Sequence, residues 1–392
     1  MRIIILISFA FCAAFALDRS HLSDEIQSAI AHKEAAIEAG RKRLKYDFIG
    51  SASLSGSITE SRSGASDEWS RSEQASAQFS QDLFRSGGIS ASIRYAGFWA
   101  ESERIKLTQE INGYLQNLTT YILQYRQDRI RLEQNALALK NAEIAALIKQ
   151  KQYEAGETDI TQLNDALQTR NNLRKTRLDL EHQRVSRLEE IAKITPLDPE
   201  TLPIAPFNEI NEEEYLSRSL TARLAKLQSE IAKTQQSITT SSYLPTLSAN
   251  AGASYTKTET SDGESYSYGL RLSMPLSVTE GWSIEEKKLE TLRAKSQERT
   301  TIEGEKRAYA QSQSAIKATT RGMEVSQENI ALYDSLLSAT KAQAKSGTIS
   351  RFDPQTLENS RASDLLDIEL SRISIQIELA KLYYATDKEN DK

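Results

Sequence analysis

The chain of 392 residues has one cysteine, Cys12, and three histidines, His21, His32 and His182. That scarcity excludes a disulfide framework and a Cys/His metal site. Long apolar runs are equally scarce. Past the N-terminus no uncharged stretch approaches the roughly 18–20 residues that a spanning helix needs. With 39% hydrophobic and 26% charged residues, the chain is too polar for a helical membrane protein. An excess of basic charge is missing as well: Lys and Arg number 49 against 54 Asp and Glu, a formal net charge of −5. No electrostatic footprint for nucleic acid follows. There is no phosphate-binding loop and no nucleophile spaced with a base, and His182 lies in a helical stretch as a surface residue. Neither enzymatic chemistry nor a cofactor is expected. The length alone would allow two or three ordinary domains.

What is present begins at residues 1–16, MRIIILISFAFCAAFA. Arg2 is a charged leader, Ile3 to Ala14 an apolar segment, and Ala14-Phe15-Ala16 a small-residue cleavage site. This reads as a secretory signal peptide, too short to span and stay; the alternative is a buried N-terminal helix. Cleavage after Ala16 removes Arg2, which makes the net charge of −5 one unit more negative. Cys12 leaves with it. Lipidation of Cys12 is disfavoured by the bulky Phe11 before it.

The rest of the chain is a long, weak internal repeat. Each half has two short alternating segments, a very long helical stretch, a Gly-centred break and a returning helix. The breaks are QYEAGETDITQL (152–163) and KAQAKSGTISRFDP (341–354), with Gly156 and Gly347 in correspondence. Residues 83–88, ending in Gly87-Gly88, match residues 276–281, ending in Gly281. The predicted organisation is a first repeat at 17–195, with strands at about 46–60 and 70–84, a long helix 89–155 and a return helix 158–194. A linker or equatorial region occupies 196–215, where four of the seven prolines (Pro196, Pro199, Pro203, Pro206) precede the acidic run Glu212-Glu213-Glu214. The second repeat is 216–386, with strands at about 244–257 and 265–276, a long helix 282–346 and a return helix 353–386. Residues 387–392 form a polar tail. No proline interrupts either long helix, where one would cost about 3 kcal/mol.

The long helices carry apolar residues at heptad spacing. Leu107, Ile111, Tyr114, Leu118, Tyr121 and Tyr125 form one seam, continued by Leu132 and Leu139; Ile130, Leu137 and Ile144 form a second. Two seams predict two helical neighbours, as in a ring of helices; a plain coiled coil is the simpler alternative. The four alternating segments, 48–58, 74–83, 247–255 and 266–274, place apolar residues opposite a face rich in serine. Period two with one apolar and one polar face, over about ten residues, is the pattern of a membrane β-barrel strand. The stretches 61–68 and 257–265 suit exposed hairpin loops. Trp69, Tyr255, Tyr266 and Tyr268 near them either form an interfacial aromatic girdle or reflect the liking of aromatics for strands. Four strands cannot close a barrel, and an open edge in lipid leaves backbone groups unsatisfied at several kcal/mol each. Other copies must complete the wall. Cyclic symmetry does this most simply, and three chains give twelve strands.

The signal peptide, the duplicated strand–strand–long-helix unit and the glycine-centred breaks together resemble the TolC-like outer membrane efflux family over essentially residues 22–386. The resemblance is carried by Tyr153-Glu154-Ala155-Gly156 with Thr158, Asp159 and Leu163, and by its second copy, Gly347-Thr348-Ile349-Ser350-Arg351-Phe352-Asp353. Leu83-Phe84 with Gly87-Gly88 adds to it. Two departures stand out: Gln162 where the family often has an acidic residue, and Ala344 where an aromatic is expected. The fold class implied is a mixed α/β membrane protein, mainly α. Long antiparallel helical hairpins form an α-barrel, and four strands per protomer join a trimeric twelve-stranded β-barrel with an internal two-fold repeat. The function implied is the outer membrane exit duct of a tripartite efflux or type I secretion system. It would be a non-enzymatic passive conduit, gated at its periplasmic helical tips. Its implied partners are two further copies, a periplasmic adaptor (membrane fusion) protein, an inner membrane transporter and outer membrane lipid, with no nucleic acid. The implied location is the outer membrane with a periplasmic extension. The runner-up is a periplasmic adaptor or a trimeric coiled-coil stalk. An adaptor would carry one hairpin rather than two; a stalk would keep its strands at the C-terminus.

On this reading Gly156 and Gly347 supply the positive φ of a reversing helix. Thr158 or Asp159 caps the first return helix. Ser350 or Asp353 caps the second, with Pro354 at its first position. Three copies of Asp353 would form a constriction ring, with repelling carboxylates that bind cations and Arg351 as a tether in the closed state. The expected adaptor-contact tips comprise Tyr153, Gly156, Glu157 and Thr158 in the first repeat and Gly347, Thr348 and Ser350 in the second.

Overall fold

The structure is a computed structural model that describes residues 17–62, 69–202, 204–276 and 278–387. The expected signal peptide, Cys12, most of the first hairpin loop and the polar tail beyond Asp387 lie outside the described residues. The chain order is α1 (Asp24–Lys45), β1 (Ala52–Arg62), β2 (Trp69–Arg85), α2 (Gly88–Glu154), α3 (Ile160–Ala192), α4 (Glu212–Arg218), α5 (Leu220–Ser242), β3 (Thr246–Thr258), β4 (Asp262–Ser273), α6 (Glu280–Lys345) and α7 (Phe352–Tyr384). Among the described residues no helix is long and apolar enough to cross a membrane.

Helices α1 and α5 precede the two strand pairs and are absent from the sequence reading. Their signals are ordinary ones. α1 has Asp24 and Glu25 in its first turn and Lys42, Arg43 and Lys45 in its last, each complementing the helix dipole. α5 spaces Leu220, Leu224, Leu227 and Ile231 at heptad steps, with Leu220 and Leu227 packed against Ile105 of α2. Gly40 of α1 lies so close to the Trp99 indole that a Cβ there would strike it.

The chain divides into two compact units, and α1, α2 and α6 contribute to both. One unit comprises residues 31–108 and 220–303 and holds a four-stranded antiparallel sheet in the order β1-β2-β3-β4. The two repeats meet at the β2–β3 pair, where Ala77 lies opposite Ala253 and a bulge separates Asp82 from Phe84. Strand β1 begins at Ala52 rather than near 46. The Gln81 side chain takes the place of a ladder bond there, accepting from the Gly50 N–H at 2.7 Å and donating to the Phe48 carbonyl at 2.9 Å. The second hairpin is tighter than its sequence suggests. β3 runs to Thr258 and β4 starts at Asp262, closed by the Thr258 N–H to the Ser261 carbonyl at 2.7 Å.

The other unit comprises residues 17–30, 109–219 and 304–387 among those described. Its four long helical segments lie side by side in the order α3, α2, α7, α6. Asn135 of α2 donates to the Leu173 carbonyl of α3 at 3.2 Å. Gln134 of α2 donates to Asp367 of α7 at 2.7 Å, and Gln127 to Ser374 at 2.8 Å. Arg361 of α7 pairs with Asp334 of α6 at 2.6 Å. Helix α2 therefore has two helical neighbours, as its two seams predict. Leu107, Leu118, Tyr125 and Ile130 of those seams are buried.

The stretch 196–215, expected as a linker or equatorial region, is partly built into the core. Leu202 and Phe207 are buried, and Phe207 packs on the rings of Tyr383 and Tyr384 at 5.2 and 5.9 Å. The acidic run opens α4, because carboxylates suit a helix N-terminus and Asn211 accepts the Glu214 N–H at 2.8 Å.

Candidate functional site

Two surfaces carry the functional expectations: the faces of the sheet and the two helix-reversing tips.

Directly opposed residues of an antiparallel pair share a face. The register aligns Leu54, Ala77, Ala253 and Tyr266 in one row and Ala52, Phe79, Ala251 and Tyr268 in the next. The opposite face aligns Ser55, Ser76, Ser254 and Ser265, with the Ser55 and Ser76 hydroxyls 2.7 Å apart. Every residue of β1 and β4 is exposed, apolar ones included: Leu54 is 86% and Tyr268 92% accessible. The apolar face is free of charge from the row of Leu247 to the row of Ala253, about 20 Å at 3.4 Å per residue, and in the next row Glu264 stands opposite Tyr255. Beyond it the same face turns charged, with Ile58, Glu73, Lys257 and Asp262 in one row. Trp69, Tyr255, Tyr266 and Tyr268 all belong to the apolar face but to four different rows, because Trp69 is opposite Arg62 while Tyr255 is opposite Ala75.

The first tip joins α2 to α3. The Gly156 N–H donates to the Tyr153 carbonyl at 3.0 Å and the Glu157 N–H to the Gln152 carbonyl at 2.8 Å. The second joins α6 to α7 with the same pair of bonds, Gly347 to Ala344 at 3.2 Å and Thr348 to Gln343 at 3.0 Å. Both are Schellman closures, and both glycines have φ of 75°. The duplication visible in the sequence thus extends to individual hydrogen bonds.

Capping differs between the copies. Asp159 caps α3 by accepting the Gln162 N–H at 2.9 Å, while Thr158 Oγ1 is buried without a partner. At α7 the side-chain acceptor is Ser350, from the Phe352 N–H at 3.2 Å; Asp353 does not cap. Pro354 is the third residue of α7 rather than its first, still within the turn that needs no N–H donor. Gln162, the departure from the expected acid, accepts the Lys149 ammonium at 2.8 Å across the hairpin.

Tyr153 and Glu157 are exposed at the first tip, as are Thr348, Ser350, Arg351 and Asp353 at the second. The Arg351 guanidinium lies over the Phe352 ring at 5.1 Å. Arg351 and Asp353 therefore sit on one exposed turn, but no ion pair joins them among the described residues.

Sequence reasoning passed over the buried polar seam between α2 and α3. Asp128 is fully buried, with Arg131 at 3.4 Å and Arg187 at 3.7 Å. Burial pushes its carboxyl up, and the two guanidinium groups oppose that shift. The signal available was a lone acid within the apolar seams of α2.

A model of the outer membrane efflux protein family matches residues 16–195. No curated relative matches the chain by sequence. Among solved structures, the outer membrane protein VceC of Vibrio cholerae superposes with a TM-score of 0.74 at 13% identity, covering 93% of each chain. A membrane protein from Pseudomonas aeruginosa gives 0.72 at 16% identity, covering 95% of this chain and 91% of that one. The Campylobacter jejuni CmeC outer membrane channel gives 0.70 at 10% identity, covering 92% and 83%. At such identities the likeness is one of fold.

Proposed function

From a chain that resembles the TolC-like outer membrane efflux family, in its first repeat by sequence and over nearly its whole length by fold, we propose an outer membrane efflux channel that assembles from three copies. The observation that carries this reading is the sheet. Its apolar face is charge-free over about 20 Å, of the order of the roughly 25 Å apolar band of an outer-membrane barrel. Its other face is lined with serine. Its edges, β1 and β4, have no partner strand on their outer sides among the described residues. In lipid those edges must be paired. Three sheets closing into twelve strands pair all of them and turn the serine faces toward water.

The helical hairpins extend the conduit into the periplasm, and the exposed tips around Gly156 and Gly347 meet a periplasmic adaptor. Tyr153, Glu157, Thr158, Thr348 and Ser350 form that contact. The adaptor links the duct to an inner membrane transporter that supplies the energy. Transport through the duct is passive and involves no covalent chemistry.

At the mouth, three copies of Asp353 form a ring whose carboxylates repel and bind cations. Arg351, on the same exposed turn, reaches a neighbouring copy in the closed state. Asp353→Ala is expected to change single-channel conductance and weaken block by divalent cations in planar bilayers. Unchanged conductance and block would remove Asp353 from the gate. Sizing of the detergent-extracted particle tests the assembly itself; a monomer would end the proposal.

A further inference from the structure

The serine-lined face of the sheet is nearly free of charge, and its few charges are unevenly balanced. Among its described residues the charged side chains are Asp82, Arg85 and Arg271. Asp82 and Arg271 lie in one row on either side of Ser248. Arg85, one strand position past the bulge, pairs with Thr246 and so returns to the same face. Its guanidinium holds Asp82, with Nε at 3.1 Å from Oδ2. That pair is neutral overall. Arg271 is exposed, and no ion pair to it occurs among the described residues. The rest of the face is Ser, Thr, Asn, Gln and Gly.

We propose that Arg271 sets the charge preference of the barrel wall, making it favour anionic solutes over cationic ones. The inference rests on the reading of the serine face as the inner wall of a closed barrel. Three-fold closure then makes one ring with three net positive charges, against a wall that is otherwise neutral. A twelve-stranded barrel is wide, so the ring acts through its field rather than by direct coordination. That field reaches about 30 Å at 0.01 M salt, about 10 Å at 0.1 M and about 3 Å at 1 M. Preference for anions therefore belongs to low ionic strength and fades as salt rises. This separates it from a tight carboxylate ring at the tips, whose short-range cation binding outlasts screening.

The test uses the full-length protein in planar bilayers, with reversal potentials read across a KCl gradient at about 0.01 M and about 1 M. Arg271→Gln is expected to lower the anion-to-cation permeability ratio by at least about twofold at the low salt and to leave it nearly unmoved at the high salt. Arg271→Glu is expected to lower it further. A ratio that is the same in wild type and Arg271→Gln at low salt overturns the assignment. Two cysteine variants report on the underlying reading separately, since Cys12 is the chain's only cysteine. A negatively charged, water-soluble thiosulfonate should alter conductance through Ser254→Cys and not through Ala253→Cys, adjacent residues on opposite faces. If Ser254→Cys responds and Arg271→Gln does not, the inference falls while the barrel stands. If Ala253→Cys responds instead, the barrel reading falls, and the inference with it.

Discussion

The same substitution, glycine to alanine, should have opposite effects at two positions of one hairpin. At Gly347 φ is 75°, and a Cβ would meet no atom within 4 Å. The obstacle to alanine is therefore conformational, not steric. An L-residue in that region costs about 1–2 kcal/mol, and the lower entropy of the unfolded alanine chain offsets about 0.4–1 kcal/mol of it. The net loss is on the order of 1 kcal/mol, close to a fivefold change in a local opening equilibrium. The groups that report it are the Thr348 N–H, bonded to the Gln343 carbonyl at 3.0 Å, and the Gly347 N–H itself. Gly322, in the interior of α6, also has open space around its missing Cβ but an ordinary helical backbone. There alanine should stabilise by about 0.5–1 kcal/mol. Hydrogen exchange followed by mass spectrometry on the detergent-solubilised protein is the assay. Gly347→Ala should speed exchange at Thr348 about fivefold, Gly347→Asn less because asparagine tolerates this backbone, and Gly322→Ala should slow exchange in the surrounding turns. If Gly347→Ala leaves Thr348 exchange unchanged, or matches Gly322→Ala in direction, the Schellman account of the tips is wrong.

Asp128→Ala should lower stability toward the low side of the roughly 3–5 kcal/mol typical of a broken buried pair, because Arg131 and Arg187 keep some solvent. Asp128→Asn should cost less. Burial raises the Asp128 carboxyl pKa, so its charged form weighs against folding, and wild type should gain on the Asn variant as pH falls through that pKa. Circular-dichroism melts of both variants across pH check the order and the sign. Burial pushes the Tyr384 phenol up to about 12, against the opposing effect of its hydrogen bond with Thr119 at 3.1 Å. Its contribution is complete below the ordinary tyrosine pKa of about 10 and is lost as pH rises toward 12, about 2–3 kcal/mol in all. A Tyr384→Phe variant should lack that alkaline loss in melting experiments.

The strand pairs, the long helices and the two reversals were readable because each rests on a local rule. Period-two alternation has no other economical use over ten residues, and Gly156 and Gly347 stand where only positive φ closes the turn. Asp159 was readable as a cap for the same reason. The misreadings share a cause. The start of β1 is decided by Gln81, some thirty residues away. Phe207 looked like linker because its partners, Tyr383 and Tyr384, come from the far end of the chain.

By itself, then, the sequence determined the repeat, the faces of the strands and the glycines at the tips, all of which depend on backbone geometry over a few residues. The tertiary structure decided that β2 pairs with β3, that α2 lies between α3 and α7, and that Asp82 is neutralised while Arg271 is not. Those outcomes depend on which distant segments meet, and chain order alone does not specify that.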